Sequence, residues 1–89
     1  MSIDEFDSVA LLVPLPAERL FPSELPAGEG LRPGDEGVVV DALHAPEWYT
    51  VEFFRGGETV AIADVTPAQV RVVARAAPTM ELSHVRHAD

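Results

Sequence analysis

Residues 30–43 read GLRPGDEGVVVDAL, with a proline and two further glycines ahead of the most β-prone run of the chain. Arg32-Pro33-Gly34-Asp35 fits a type II turn. That turn needs a φ near about −60° and then a positive φ, which proline and glycine supply at its second and third positions. Gly37 stands at the mouth of the next element, where a bulge or a close backbone approach is common. The turn therefore launches a strand over 37–43. Val38, Val39 and Val40 in a row mean that both faces of this strand are at least partly covered.

Downstream, HAPE (44–47) reads as a second turn and WYTVEFF (48–54) alternates. Tyr49, Val51 and Phe53 share one face; Thr50, Glu52 and Phe54 share the other. ETVAIADV (58–65) is the next strand. A two-residue type I′ loop at Gly56-Gly57 sets Arg55 against Glu58, Phe53 against Val60 and Val51 against Ile62, so that apolar faces agree. A slip of one residue would flip every side chain. TPAQ (66–69) reads as a single helical turn, with Thr66 ahead of Pro67 at the first helical position. VRVVA (70–74) is a last short strand. Upstream, SVALLVP (8–14) has strand composition and ends at Pro14. Residues 15–30 form a long loop rich in proline and glycine, with one helical turn over 17–21 closed by Pro22. Segments 1–7 and 75–89 lack pattern and are expected to be flexible ends.

These elements describe an all-β domain over 8–74: five short strands, a long first loop and one helical turn before the last strand. In that order they give a small, strongly bent SH3-like barrel. The expected core is Val9, Leu11, Val38, Val40, Val51, Phe53, Val60, Ile62, Val70 and Val72.

The chain has 89 residues, 47% of them hydrophobic, and no cysteine, so one domain with an ordinary core is affordable without disulfides. Its formal net charge is −9, from six arginines, no lysine and fifteen carboxylates. Nonspecific nucleic-acid binding draws on basic side chains that neutralise phosphates, so that class is disfavoured. The acidic N-terminus lacks the positive region of a signal peptide, and its apolar run is too short to span a bilayer. A soluble, cytoplasmic protein with no membrane partner is expected.

DSVALLVPLP, GLRPGDEGVVV, YTVEFF and GETVAIADVTPAQVRVV, in this order and spacing, resemble a family of small bacterial proteins designated domain of unknown function 4926. The likeness covers roughly residues 6–73 and implies an SH3-like fold. It brings no catalytic residues. It implies a protein partner encoded by a neighbouring gene, of the antitoxin-like or immunity-like kind. The segment AERLFPSELPAGE is longer than its counterpart in compact members. GDEGVVV is also similar to a turn and strand of the KOW class found in transcription and ribosome-associated barrels. Asp35, Glu36 and Asp41 stand here where those domains bring basic residues.

Individual residues point to surface rather than to chemistry. The Gly34–Gly37 turn lacks the lysine and hydroxyl residue of a phosphate loop and opens no helix. His44 with Glu47, and His84 with His87, have spacings that a metal could use, but histidines in loops and tails are more often solvated. No serine or threonine lies in a nucleophile motif. Asp35, Glu36 and Asp64 lie at strand ends, where carboxylates are usually solvated. No enzyme activity, metal or cofactor is expected.

Trp48 and Phe54 fall outside the inward alternation, and the long loop is expected to fold over them with Leu20 and Phe21 as a plug. The resulting expectation is a non-catalytic protein-binding module whose partner is basic. Its contacts would be drawn from Asp35, Glu36, Glu47, Glu52 and Glu58, with Trp48, Phe54 and Phe21 as apolar candidates. The competing expectation is a KOW-type accessory domain of a transcription or translation complex.

Overall fold

The turn at Pro33–Gly34 forms as its chemistry requires: Gly34 has φ 95°, and the Asp35 N–H donates to the Arg32 carbonyl at 3.0 Å. The structure, a computed structural model, describes residues 3–76. Six strands follow in chain order: β1 (Ser8–Leu11), β2 (Leu20–Ser23), β3 (Glu36–Asp41), β4 (Tyr49–Arg55), β5 (Glu58–Val65) and β6 (Val70–Ala74). Single 3-10 turns at Ala17–Arg19 and Pro67–Gln69 precede β2 and β6. At the second of these, the Thr66 N–H donates to Gln69 Oε1 at 2.9 Å.

All pairings are antiparallel, in the order β2-β5-β4-β3-β1-β6. The sheet is open: among the described residues no ladder joins β2 to β6. Leu20 of β2 and Val70 of β6 nevertheless belong to one buried cluster, so the sheet bends around a single core.

The all-β class is as the sequence indicates, but the strand count is six rather than five. The additional strand, β2, lies in the segment read as a loop. Its helical turn stops at Arg19, and Leu20 pairs with Ala63 of β5. Pro22 is tolerated because β2 lies at a sheet edge, where one side of the strand makes no ladder bonds. The rest of the segment is held by leucines. Leu15 and Leu31 exchange backbone hydrogen bonds of 3.0 and 2.8 Å, and both side chains are buried. Gly30 lies so close to this pair that a Cβ would fall 2.2 Å from the Leu15 carbonyl oxygen.

Gly56 and Gly57 have φ 60° and 83°, the signature of the type I′ loop, and Arg55 pairs with Glu58 as expected. Beyond that pair the register departs from the simple reading. Phe54 faces Thr59 but Phe53 faces Ala61, so Val60 is the extra residue of a β-bulge. Val51 then faces Ala63 rather than Ile62. Ala61, Ala63 and Val65 are buried, while Val60 and Ile62 are only half-buried.

A second bulge places Val39 against Val51 and Asp41 against Thr50, leaving Val40 as the extra residue. Here Val39 is buried, with Val38 and Val40 half-buried. Val72 is also only partly buried. The expected core members Val38, Val40, Val60 and Ile62 are therefore replaced by Val39, Ala61, Ala63 and Val65. Val9, Leu11, Val51, Phe53 and Val70 stand as read. The small alanines of β5 lie opposite Val51 and Phe53 of β4, so large and small side chains alternate across the pair.

The central valines provide a direct check. Val39→Asp buries an unpaired carboxylate and is expected to abolish the cooperative melt seen by circular dichroism. Val38→Thr, on the opposite face of the same strand, is expected to cost no more than about 1 kcal/mol. The reverse order of severity would overturn this assignment of faces.

Candidate functional site

Two carboxylates are committed to the fold. Asp35 ends the type II turn and receives Arg55 through two bonds, Nη2 to Oδ2 at 2.8 Å and Nε to Oδ1 at 3.3 Å. The Arg32 N–H adds a bond of 2.8 Å, and Arg55 Nη1 reaches Glu29 at 3.4 Å. This cluster ties the turn and the long segment to the end of β4. Burial alone would raise the Asp35 carboxyl, but the Arg55 guanidinium and the Arg32 N–H outweigh it and hold it below the ordinary aspartate range.

Asp7, just ahead of β1, is 1% exposed. It accepts the Ala76 N–H at 2.8 Å, Arg75 Nη1 at 2.8 Å and the Asp4 N–H at 2.9 Å. Its backbone extends the β1–β3 ladder, the Val39 N–H donating to the Asp7 carbonyl at 2.9 Å. Ile3 packs against the core as well. The described part of segment 1–7 is thus docked on the sheet, and Asp7 fastens it to the residues that follow β6. Burial is again the largest influence and would raise its pKa. The three donors together outweigh burial and lower it.

The remaining candidate contacts fall at different places on the sheet. Glu36 pairs with Phe54 beside the Gly56–Gly57 loop, and Glu58 lies at the same end. Glu52 sits mid-strand on the outward face of β4, where Thr59 donates its hydroxyl to the carboxylate. Glu47 and Trp48 lie at the opposite end of β4, ahead of Tyr49.

The plug expected over Trp48 and Phe54 does not form. Leu20 points into the core, and Phe21, the next residue of the alternating strand, is 77% exposed. Trp48 stacks instead on His44, with ring centroids 4.0 Å apart. Phe54 borders an open hollow with Val38 and Gly57.

The outward face of β4 and β5 also brings the candidates Phe21 and Trp48 together with residues that were not among the expected contacts. Phe21, Arg19, Thr50, Ile62 and Asp64 line a hollow of about 180 Å³. Arg19, Asp64, Trp48 and Thr66 line a second of about 270 Å³. Thr50 Oγ1 donates to Asp64 Oδ1 at 2.8 Å. The signal for Ile62 was present in its alternation with Ala61 and Ala63, but hydrophobicity favoured the wrong face. The place of Arg19 depended on β2, which was not recognised.

The geometry bears on chemistry too. Asp35 is bonded near the hairpin end of β4 and Asp64 is held by Thr50 near its other end, so these two carboxylates lie apart. The Gly34 and Asp35 N–H groups donate to the carbonyls of Leu11 and Arg32, so the turn does not aim them at a phosphate. Among the described residues no cluster of three or more His, Asp or Glu is placed to hold a metal ion. His84 and His87 lie outside them. No described helix is long and apolar enough to cross a membrane. Among the described arginines, Arg55 and Arg75 face carboxylates, while Arg19 and Arg71 lie towards opposite ends of the strand order.

Both aspartates bind protons more weakly in the folded chain than in the unfolded one. Their stabilisation is therefore complete above the unfolded pKa and is lost as pH falls through the folded value. The melting temperature is expected to hold from neutral pH down to about pH 5 and to drop below about pH 4. Asp7→Ala leaves buried N–H groups without an acceptor and should cost about 2–4 kcal/mol at neutral pH. The same variant should flatten the acid limb of the curve. A variant as stable as the parent, with an unchanged acid limb, would remove Asp7 from this role.

No curated protein and no solved structure gives a significant match to the chain. A family model does match, over residues 5–72, from the segment that carries Asp7 through five of the strands and into β6. On that match the chain belongs to the family described as Domain of unknown function (DUF4926).

Proposed function

We propose that this protein is a non-catalytic, cytoplasmic protein-binding module, an SH3-like barrel that engages a basic partner encoded by a neighbouring gene, in the manner of an antitoxin or immunity protein. The observation that carries the reading is the mixed character of the outward face of β2, β5 and β4. Phe21 is exposed there, Ile62 and Trp48 are half-buried, and Glu52 and Asp64 lie among them. Exposed apolar side chains set among charges suit recognition of another protein.

The charge balance supports a basic partner. The net charge of −9 gives a field that steers a cationic surface towards the module. Arg55 and Arg75 are engaged by carboxylates of the fold, and the fifteen carboxylates of the chain outnumber its six arginines, which disfavours contact with phosphates. Asp35 belongs to the scaffold under this reading, and the contact set is Glu36, Glu47, Glu52, Glu58 and the apolar residues beside them.

The test is a titration of the purified protein against the product of its neighbouring gene, and separately against labelled single- and double-stranded nucleic acid, each at low and physiological salt. A protein complex is expected, with an association rate that falls as salt shortens the electrostatic reach to about 8 Å. No appreciable nucleic-acid binding is expected at physiological salt. Tight binding of nucleic acid there would favour the KOW-type reading instead.

A further inference from the structure

The two hollows on the outward face share Arg19 and Asp64 as their common wall. Together they make one shallow groove, with Phe21 and Ile62 at one end and Trp48 at the other. Thr50 fixes Asp64 through Oδ1, and among the described residues nothing occupies Oδ2. Glu52 lies across from Ile62 on β4, and Glu47 adjoins Trp48 in sequence. The groove therefore has an aromatic ring at each end and, at its middle, the Asp64 carboxylate beside Arg19, with Glu52 and Glu47 outside its lining. Pro22 disfavours a further strand on the edge of β2, which points to recognition by side chains on the face rather than by strand addition.

We propose that this groove holds an extended peptide segment of the partner, with an arginine or lysine on Asp64 and apolar residues to either side of it on Phe21–Ile62 and on Trp48. The charges choose this occupant. A carboxylate oriented by a hydroxyl is a ready acceptor for a guanidinium or ammonium group. Arg19, on the same wall, disfavours two adjacent cations and so sets a single basic residue between apolar ones. The aromatic ends supply contact area with few rotatable bonds to immobilise.

This inference rests on the binding-module reading, and its test separates the two. A random ten-residue peptide library displayed on phage is panned against the full chain, and the enriched peptides are synthesised and titrated by the emission of Trp48, the single tryptophan. Enrichment of apolar–basic–apolar sequences is expected, with a change in Trp48 emission on binding. Phe21→Ser and Asp64→Asn should each weaken the enriched peptide at least tenfold. Neither side chain is buried in the core, so both variants should retain the parent melting curve. Replacing the basic residue of the peptide by glutamate should abolish binding.

Failure to enrich such peptides, or equal binding by parent and both variants, overturns the groove. If the neighbouring gene product binds both variants as tightly as it binds the parent, the module reading stands and the groove is still overturned. If that protein does not bind the parent while the peptides do, the groove stands and the choice of partner is wrong.

Discussion

Two residues without a partner on β4, Val40 and Val60, set the arrangement on which the rest of this structure depends. Side chains alternate across a strand with a period of two, so each inserted residue reverses the faces of everything beyond it. With Val60 set aside, β5 turns Ala61, Ala63 and Val65 inward and Ile62 and Asp64 outward. With Val40 set aside, Val39 stays in the core and Asp41 moves to the outer side opposite Thr50. The core obtains small residues where β4 supplies Phe53 and Val51. The outer face obtains an isoleucine and a carboxylate that a regular ladder would have placed elsewhere. Gly37 adds to the constraint, since a Cβ there would lie 2.5 Å from the Glu52 carbonyl oxygen. Only glycine lets β3 approach β4 so closely.

The charged groups divide between holding this arrangement and facing solvent. Asp7 gathers two backbone N–H groups and Asp35 one, each with one guanidinium, and each joins segments far apart in sequence. A buried carboxylate is costly without such partners, and removing a partner is worse than never having buried the group. The carboxylates left outside the fold, among them Glu36, Glu47 and Glu58, have no comparable structural duty. Surplus negative charge on a small domain favours solubility and attracts cations. The apolar residues beside it on the outward face give that attraction a place to act.

The edge strand β2 links fold and surface. Leu20 closes one end of the core, and alternation then forces Phe21 outward. The leucines at 15, 20, 25 and 31 anchor the long segment at intervals, Leu25 only partly buried. An insertion anchored this way gains a stable edge and leaves an exposed aromatic ring over the β5 surface.

Local chemistry was legible from the sequence by itself. Pro33-Gly34 and Gly56-Gly57 specify their turns through φ alone, and Thr66-Pro67 specifies the short helical turn before β6. The alternation of Tyr49, Val51 and Phe53 identifies the inward face of β4, because that strand carries no inserted residue on its own side of either ladder. The all-β class and the acidic balance follow from composition and patterning. The tertiary structure decided what depends on a partner strand: which of three consecutive valines is buried, and whether Val60 and Ile62 or Ala61 and Ala63 face the core. It also decided that Leu20 to Ser23 pair with β5, and that Asp35 binds Arg55 rather than facing solvent. A bulge leaves no mark in the residues that form it, and an ion pair between positions 35 and 55 exists only once turn and hairpin have been brought together. The outward groove is legible only then, since Phe21, Trp48 and Asp64 come from three segments that meet across the sheet.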